Sequence, residues 1–149
     1  MPKIAKLSNS FSNLPIRVAC FGTALCAIVG AALLAASPAV ALDVNSFRAQ
    51  HRLPPLSVSS MLSAAAYSHA ADMASRRSLD HRGFRERMVG SAGAENVAYG
   101  CADADCAYRM WAKSAGHRRN MLMKGITSYG IASATAADGR RYWALELGN

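Results

Sequence analysis

The chain of 149 residues lacks the short motifs that usually announce an enzyme. It has no H-E-x-x-H pair, which excludes a zinc peptidase site built on one helix. It has no G-x-S-x-G, which removes the nucleophile elbow of the α/β hydrolases. A phosphate-binding P-loop and a dinucleotide fingerprint are missing as well. Acidic residues are scarce, nine against seventeen Lys and Arg, for a net charge of +8. Cysteine is scarce too: there are four, and the spacing of the last two is wrong for a zinc knuckle.

What is present begins with a leader. Lys3, Lys6 and Arg17 precede an uncharged apolar run from Val18 to Ala36, and "SPAVA" closes it with Ala39-Val40-Ala41. Basic, apolar and small-x-small segments in that order predict a signal peptide over residues 1–41, cleaved before Leu42. The apolar run is also long enough to span a bilayer, so a retained anchor is the competing reading and the one route to a membrane. Cys20 and Cys26 fall in this segment without the small-residue context of a lipoprotein cysteine. Residues 42–149 then form one domain, large enough for one core, with a charge of +5 once the three basic leader residues are gone. The expected location is secreted or periplasmic. A basic surface there serves solubility, or grips anionic glycans or lipid head groups. Nucleic acid is not an expected partner, because no recognisable nucleic-acid-binding motif occurs.

In an exported chain, Cys101 and Cys106 of "CADADC" read as a disulfide. So small a loop stabilises the fold by only ~2 kcal/mol, as a local staple.

Hydrophobic spacing places a short helix from Asp43, with Val44, Phe47 and His51 on one face, stopped by Pro54 and Pro55. Ser59 or Ser60 caps a longer helix to about Arg76. Its stripe of Leu62, Ala65, Ala66, His69, Ala70 and Met73 is mostly alanine, so another element must approach closely, and His69 reads as a packed structural histidine. "SLDHRGF" is a loop leading to a short helix at 84–88, and "GSAGAENVAYG" a loop with one brief strand at most. Asp103 or Asp105 caps a helix to about Lys113, and a further helical turn follows Gly116. "ITSYGIASAT", the turn signal Asp138-Gly139 and "RRYWALELG" form a β-hairpin. Helices first and a hairpin last predict an α+β domain.

Four polar residues at helix–loop junctions are candidates for chemistry: His81, Glu95, Ser114 and His117. Spacing alone leaves each histidine a structural residue. The ordered segments "SFRAQHRLPPL", "LSAAAYSHAADMA", "LDHRG", "AENVAYG", "WAKSAGHRRNML" and "YWALELG" resemble the CAP superfamily, whose SCP domains occur in cysteine-rich secretory proteins, plant pathogenesis-related proteins and bacterial secreted relatives. The resemblance covers about Val44 to Gly148. It implies a three-layer α-β-α sandwich with a loop-lined cleft, in which histidines and acidic residues can hold a divalent metal, often zinc. The matching positions are His81, Glu95 and His117. Many members carry a second glutamate where this chain has Ser114, and Glu146 stands where the family usually has an apolar strand residue.

With His81 and His117 as the metal ligands, the expectation is a weak, exchangeable zinc ion that protonation of the imidazoles would release. The same residues could instead form a hydrogen-bonded network that holds loops together. The resemblance favours a monomeric, non-catalytic binding protein for a lipid-like molecule or an envelope glycan. The alternatives are a metal-assisted, protease-like hydrolase using Glu95 as base, and an envelope protein acting through its basic surface. Trp111 is expected to anchor a helix with its indole N–H bonded, and Asn120 to tie a loop backbone.

Overall fold

The structure, a computed structural model, describes residues 41–87 and 93–149. The leader, apart from Ala41, and Met88 at the end of the short helix lie outside the described residues. Nine elements follow one another: α1 (Val44–Gln50), β1 (Ser57–Val58), α2 (Ser60–Arg76), α3 (Phe84–Arg87), β2 (Ala94–Tyr99), α4 (Ala104–Lys113), α5 (Ala115–Met121), β3 (Ser128–Thr135) and β4 (Arg141–Gly148). The sheet has the order β1-β3-β4-β2. Only β1 runs parallel to its neighbour, and β2 and β3 flank β4 antiparallel.

Strand side chains alternate between faces, so β4 feeds two cores at once. Trp143, Leu145 and Leu147 join Val44 and Phe47 of α1, Tyr108 and Trp111 of α4, and Met121 of α5. Tyr142 and Ala144 point the other way, to Ala66, Ala70, Met73 and Ala74 of α2. Helices therefore cover both faces of the sheet, and the α+β, α-β-α architecture holds.

Local chemistry explains the helix ends. Asp43 caps α1 by accepting from the N–H groups of Asn45 and Ser46, with Ser46 returning a bond to the Asp43 N–H. Ser59 caps α2 through Leu62 N–H. Asp103, not Asp105, caps α4 through Cys106 N–H. Ser114 ends α4 and starts α5 at once, without a side-chain cap, so the second helix begins slightly before Gly116.

The alanine face of α2 meets a strand as bare as itself. A Cβ on Gly130 of β3 would stand 2.1 Å from the Ser63 nitrogen, closer than any two such atoms can pack. Two elements exceed the sequence expectation. β2 is a full six-residue strand paired along its length with β4, and β1 adds two residues at the far edge. Arg48, fully buried, donates to the carbonyls of Pro54, Met121 and Met123 and so ties α1 to the end of α5. Cys101 and Cys106 form the expected disulfide.

Candidate functional site

The site is built on β2, an edge strand over which both helical layers can close. Its neighbours Glu95 and Asn96 point to opposite faces of the sheet, as successive strand residues must. Both are buried, and each draws a histidine from a different layer.

On the α2 side, His81 Nδ1 donates to Glu95 Oε1 at 2.6 Å. A carboxylate only accepts, so the Nδ1 proton is fixed, and in the neutral ring Nε2 is left with a lone pair. The His81 side chain is half exposed while that of Glu95 is buried, which makes His81 the outer member of the pair. Arg87 of α3 donates Nη2 to Glu95 Oε2. His69 of α2 lies 3.6 Å from that oxygen, but its Nε2 donates to the Asp80 carbonyl at 2.8 Å. It is a packed structural histidine, as its place on the stripe suggests.

On the other side, Asn96 Nδ2 donates to the His117 carbonyl at 3.0 Å. Asn120 donates to the Glu95 carbonyl and to Asn96 Oδ1, so α5 is pinned to β2 by three bonds. Trp111 is buried with its indole N–H on the Val97 carbonyl at 3.0 Å. Trp111 does what the sequence suggested, whereas Asn120 ties the backbone of a strand and not of a loop. Burial lowers the His117 pKa, and the nearby charge of His81 lowers it further. Both effects favour the neutral His117 ring. An open hollow of about 310 Å³, lined in part by His81, Phe84 and Arg85, adjoins His81.

Glu146 completes the cluster. It stands opposite Glu95 in the β2–β4 register, has no exposed surface, and accepts Arg87 Nε on Oε1 at 3.1 Å. Burial, then the adjacent Glu95, push its pKa up to about 8 against the opposing pull of Arg87. Burial also pushes Glu95 upward, but bonds with Glu146 and His81 and the charges of His69 and Arg87 outweigh it and leave that group below its ordinary value. One carboxylate, one protonated carboxyl group and one guanidinium share the interior. The remaining oxygen of Glu146 has no hydrogen-bond partner among the described residues, which suits an uncharged carboxyl group better than a buried carboxylate.

The structure therefore brings His81, Glu95 and His117 to one edge. It places Ser114 at the α4–α5 corner, three residues before His117. The sequence did not single out Arg87 or Asn96. A glutamate inside a strand was the available signal, since a buried carboxylate needs a cation or donors nearby. For a metal, the site offers two imidazole nitrogens. Both oxygens of Glu95 are already engaged, and among the described residues no cluster of three or more His, Cys, Asp or Glu side chains is arranged to hold an ion. That donor set does not fit a permanently held zinc, which takes at least three protein ligands.

The family model for CAP, the cysteine-rich secretory protein family, matches residues 43–147. Among solved structures, an outer surface protein from Borrelia burgdorferi superposes with a TM-score of 0.63 at 15% identity, over 71% of this chain and 86% of that one. An extracellular SCP-domain protein from Bacillus anthracis has a TM-score of 0.57 at 25% identity over 68% of this chain, and a cysteine-rich secretory protein from Staphylococcus aureus 0.55 at 23% over 70%. The matches span 37% and 35% of those two longer chains. No curated protein matches the sequence. Among the described residues no helix is long and apolar enough to cross a membrane. With a family model matching residues 43–147 and this fold beneath it, the chain belongs to the CAP family of cysteine-rich secretory proteins.

Proposed function

We propose that this is an exported, non-catalytic binding protein whose cleft takes its ligand between His81 and His117. One observation carries the reading: both oxygens of Glu95 are committed, Oε1 to His81 and Oε2 to Arg87. A general base must reach the proton it removes, and this carboxylate is buried and turned to His81 and Arg87 inside the protein. Its role is to orient His81, much as a carboxylate orients a metal-bound histidine. The outward Nε2 of His81 and the neutral ring of His117 can then accept from a ligand, or hold a divalent ion weakly with water filling the other positions.

A lipid-like ligand has support elsewhere on the surface. A groove of about 370 Å³ between α1 and α4 is lined by Leu42, Phe47 and Ala112, with Arg109 and Lys113 also on its walls. The apolar wall and the Lys113 ammonium suit an apolar chain with an anionic head.

Calorimetry with zinc on residues 42–149 tests the cleft, against His81→Ala/His117→Ala. The expected result is weak, saturable binding in the parent protein that is absent from a double variant with an unchanged circular dichroism spectrum. A double variant that unfolds, with no zinc bound by the parent, would make the cluster purely structural. Peptide hydrolysis lost on Glu95→Gln in a folded protein would restore the enzyme reading.

A further inference from the structure

The helical layer on the Trp143 side of the sheet carries an unbalanced charge. From Cys106 to Ala137 the chain has no Asp or Glu, yet it has five Lys and Arg residues. Four of them, Lys113, Arg118, Arg119 and Lys124, are exposed, and their side chains have no hydrogen bond or ion pair among the described residues. The fifth, Arg109, is held by Asp105. On α2, by contrast, Arg76 bonds to Asp72 and Asp80, and the capping Arg77 lies 3.9 Å from Asp138.

Helix geometry gathers the unpaired cations on one face. α4 buries Ala107, Tyr108 and Trp111 against the sheet, which turns Met110 and Lys113 outward. α5 buries Met121 and ties Asn120 to β2, so Arg118 and Arg119 flank its outer side. Met110 is 45% exposed there. Beside Lys113 opens the groove over Leu42, Phe47 and Ala112, an apolar recess with a cationic rim. Leu42 is also the residue at which the leader joins the domain, so the chain enters on this face.

We propose that this face docks on an anionic bilayer. Lys113, Arg118, Arg119 and Lys124 meet the lipid phosphates, while Met110 and the apolar recess meet the boundary of the acyl chains. Lysine and arginine suit that boundary, because their stems lie along apolar surface while their charges stay among the head groups. An anionic glycan fits less well: the tyrosine and tryptophan of α4 are buried and cannot stack on a sugar, and Met110 would gain no apolar partner. The docking face lies apart from the histidines and rests on the proposed binding function only for the groove between α1 and α4.

The test is cosedimentation of residues 42–149 with vesicles of equimolar phosphatidylglycerol and phosphatidylcholine, against pure phosphatidylcholine, at near-physiological salt. Binding is expected to the mixed vesicles alone. Arg118→Gln/Arg119→Gln should weaken it by roughly thirtyfold, the worth of two charges at an anionic surface. Arg77→Gln/Arg140→Gln removes as much charge from the α2 side and should weaken it by less than about threefold. Met110→Gln, which leaves the charge unchanged, should weaken it by about fivefold. All five positions are exposed, so melting temperatures should hold. His81→Ala/His117→Ala should bind vesicles as the parent does, so this test and the zinc test fail separately. Equal binding to pure phosphatidylcholine, or none to the mixed vesicles, overturns the proposal. So does an equal loss in the two arginine pairs, which would mean net charge and no particular face. Binding that ignores Met110→Gln overturns the bilayer as occupant and leaves a polyanion held by charge alone. Binding lost in the histidine variant overturns it too and moves the lipid to the cleft.

Discussion

Glu95 and Glu146 face each other across the β2–β4 ladder, and the single guanidinium of Arg87 bonds to both. Two buried carboxyl groups beside one cation cannot both ionise cheaply, so their pKa values move apart: Glu95 down, Glu146 up.

That split has a pH signature. Glu146 titrates at about 8 in the folded protein, so the native state holds a proton that the unfolded chain has already released. Stability from this group is complete below its ordinary pKa of 4.5 and is lost as pH rises through about 8. His117, with its pKa lowered, acts oppositely but only below its ordinary value of 6.5. Between pH 6.5 and 8, stability should therefore fall, with a slope of up to about 1.4 kcal/mol per pH unit. Glu146→Gln mimics the protonated form and should flatten the slope. Urea melts across this window provide the check, and an unchanged slope in the variant would refute the shared-proton account.

Arg87 is the counterweight. Arg87→Met leaves two carboxyl groups buried with no cation between them and should destabilise the domain by roughly 3–5 kcal/mol, the cost of breaking a buried pair from one side. Adding Glu95→Gln to that variant should recover part of the loss. Chemical denaturation of the parent, both single variants and the double variant gives the coupling directly; purely additive effects would mean that the two residues do not interact.

This cluster also marks the limit of what the sequence could say. The cap at Ser59, the three-and-four spacing of α2 and the Asp138-Gly139 turn are local signals, and the structure follows them. The six-residue extent of β2 was harder to read, because Glu95 and Asn96 interrupt the apolar pattern of a buried strand. They are tolerated there only because His81, Arg87, Asn120 and the His117 carbonyl satisfy them, and those partners come from other elements. His81 and His117 were singled out only through resemblance, whereas Arg87 was one arginine among many. Burial of Arg48 was hidden for the same reason: its acceptors are carbonyls, which carry no residue identity.

The contact between α2 and β3 predicts a sharp response at one glycine. Gly130→Ala pushes a methyl group into the backbone of Leu62 and Ser63, where no side-chain rotation can relieve it. The helix must shift, and overpacking of this kind costs about 1–3 kcal/mol or more. The neighbouring Ala132→Gly should cost less, since it removes volume without a clash. Melting temperatures of the two variants would rank them, and a Gly130→Ala protein as stable as the parent would contradict the close approach.

Export with removal of residues 1–41 makes a last prediction. Leu42 N–H donates to Asp105 Oδ1, and Asp105 also holds Arg109 in an i,i+4 pair. In the cleaved protein that nitrogen is an α-ammonium group, so the amide contact becomes an ion pair. The pair raises the ammonium pKa in the folded state, so its contribution is present below the ordinary α-amino range of about 7.7–8.0 and fades as pH rises above it. A protein beginning at Leu42 should therefore be more stable at pH 7 than the same chain with an acetylated terminus, and the difference should vanish in Asp105→Asn. The contact is exposed, so the gap will be small and will shrink with added salt. Thermal melts of the four proteins, free and acetylated with Asp or Asn at 105, measure it; an acetylation effect that survives Asp105→Asn would assign the contact no role in the mature protein.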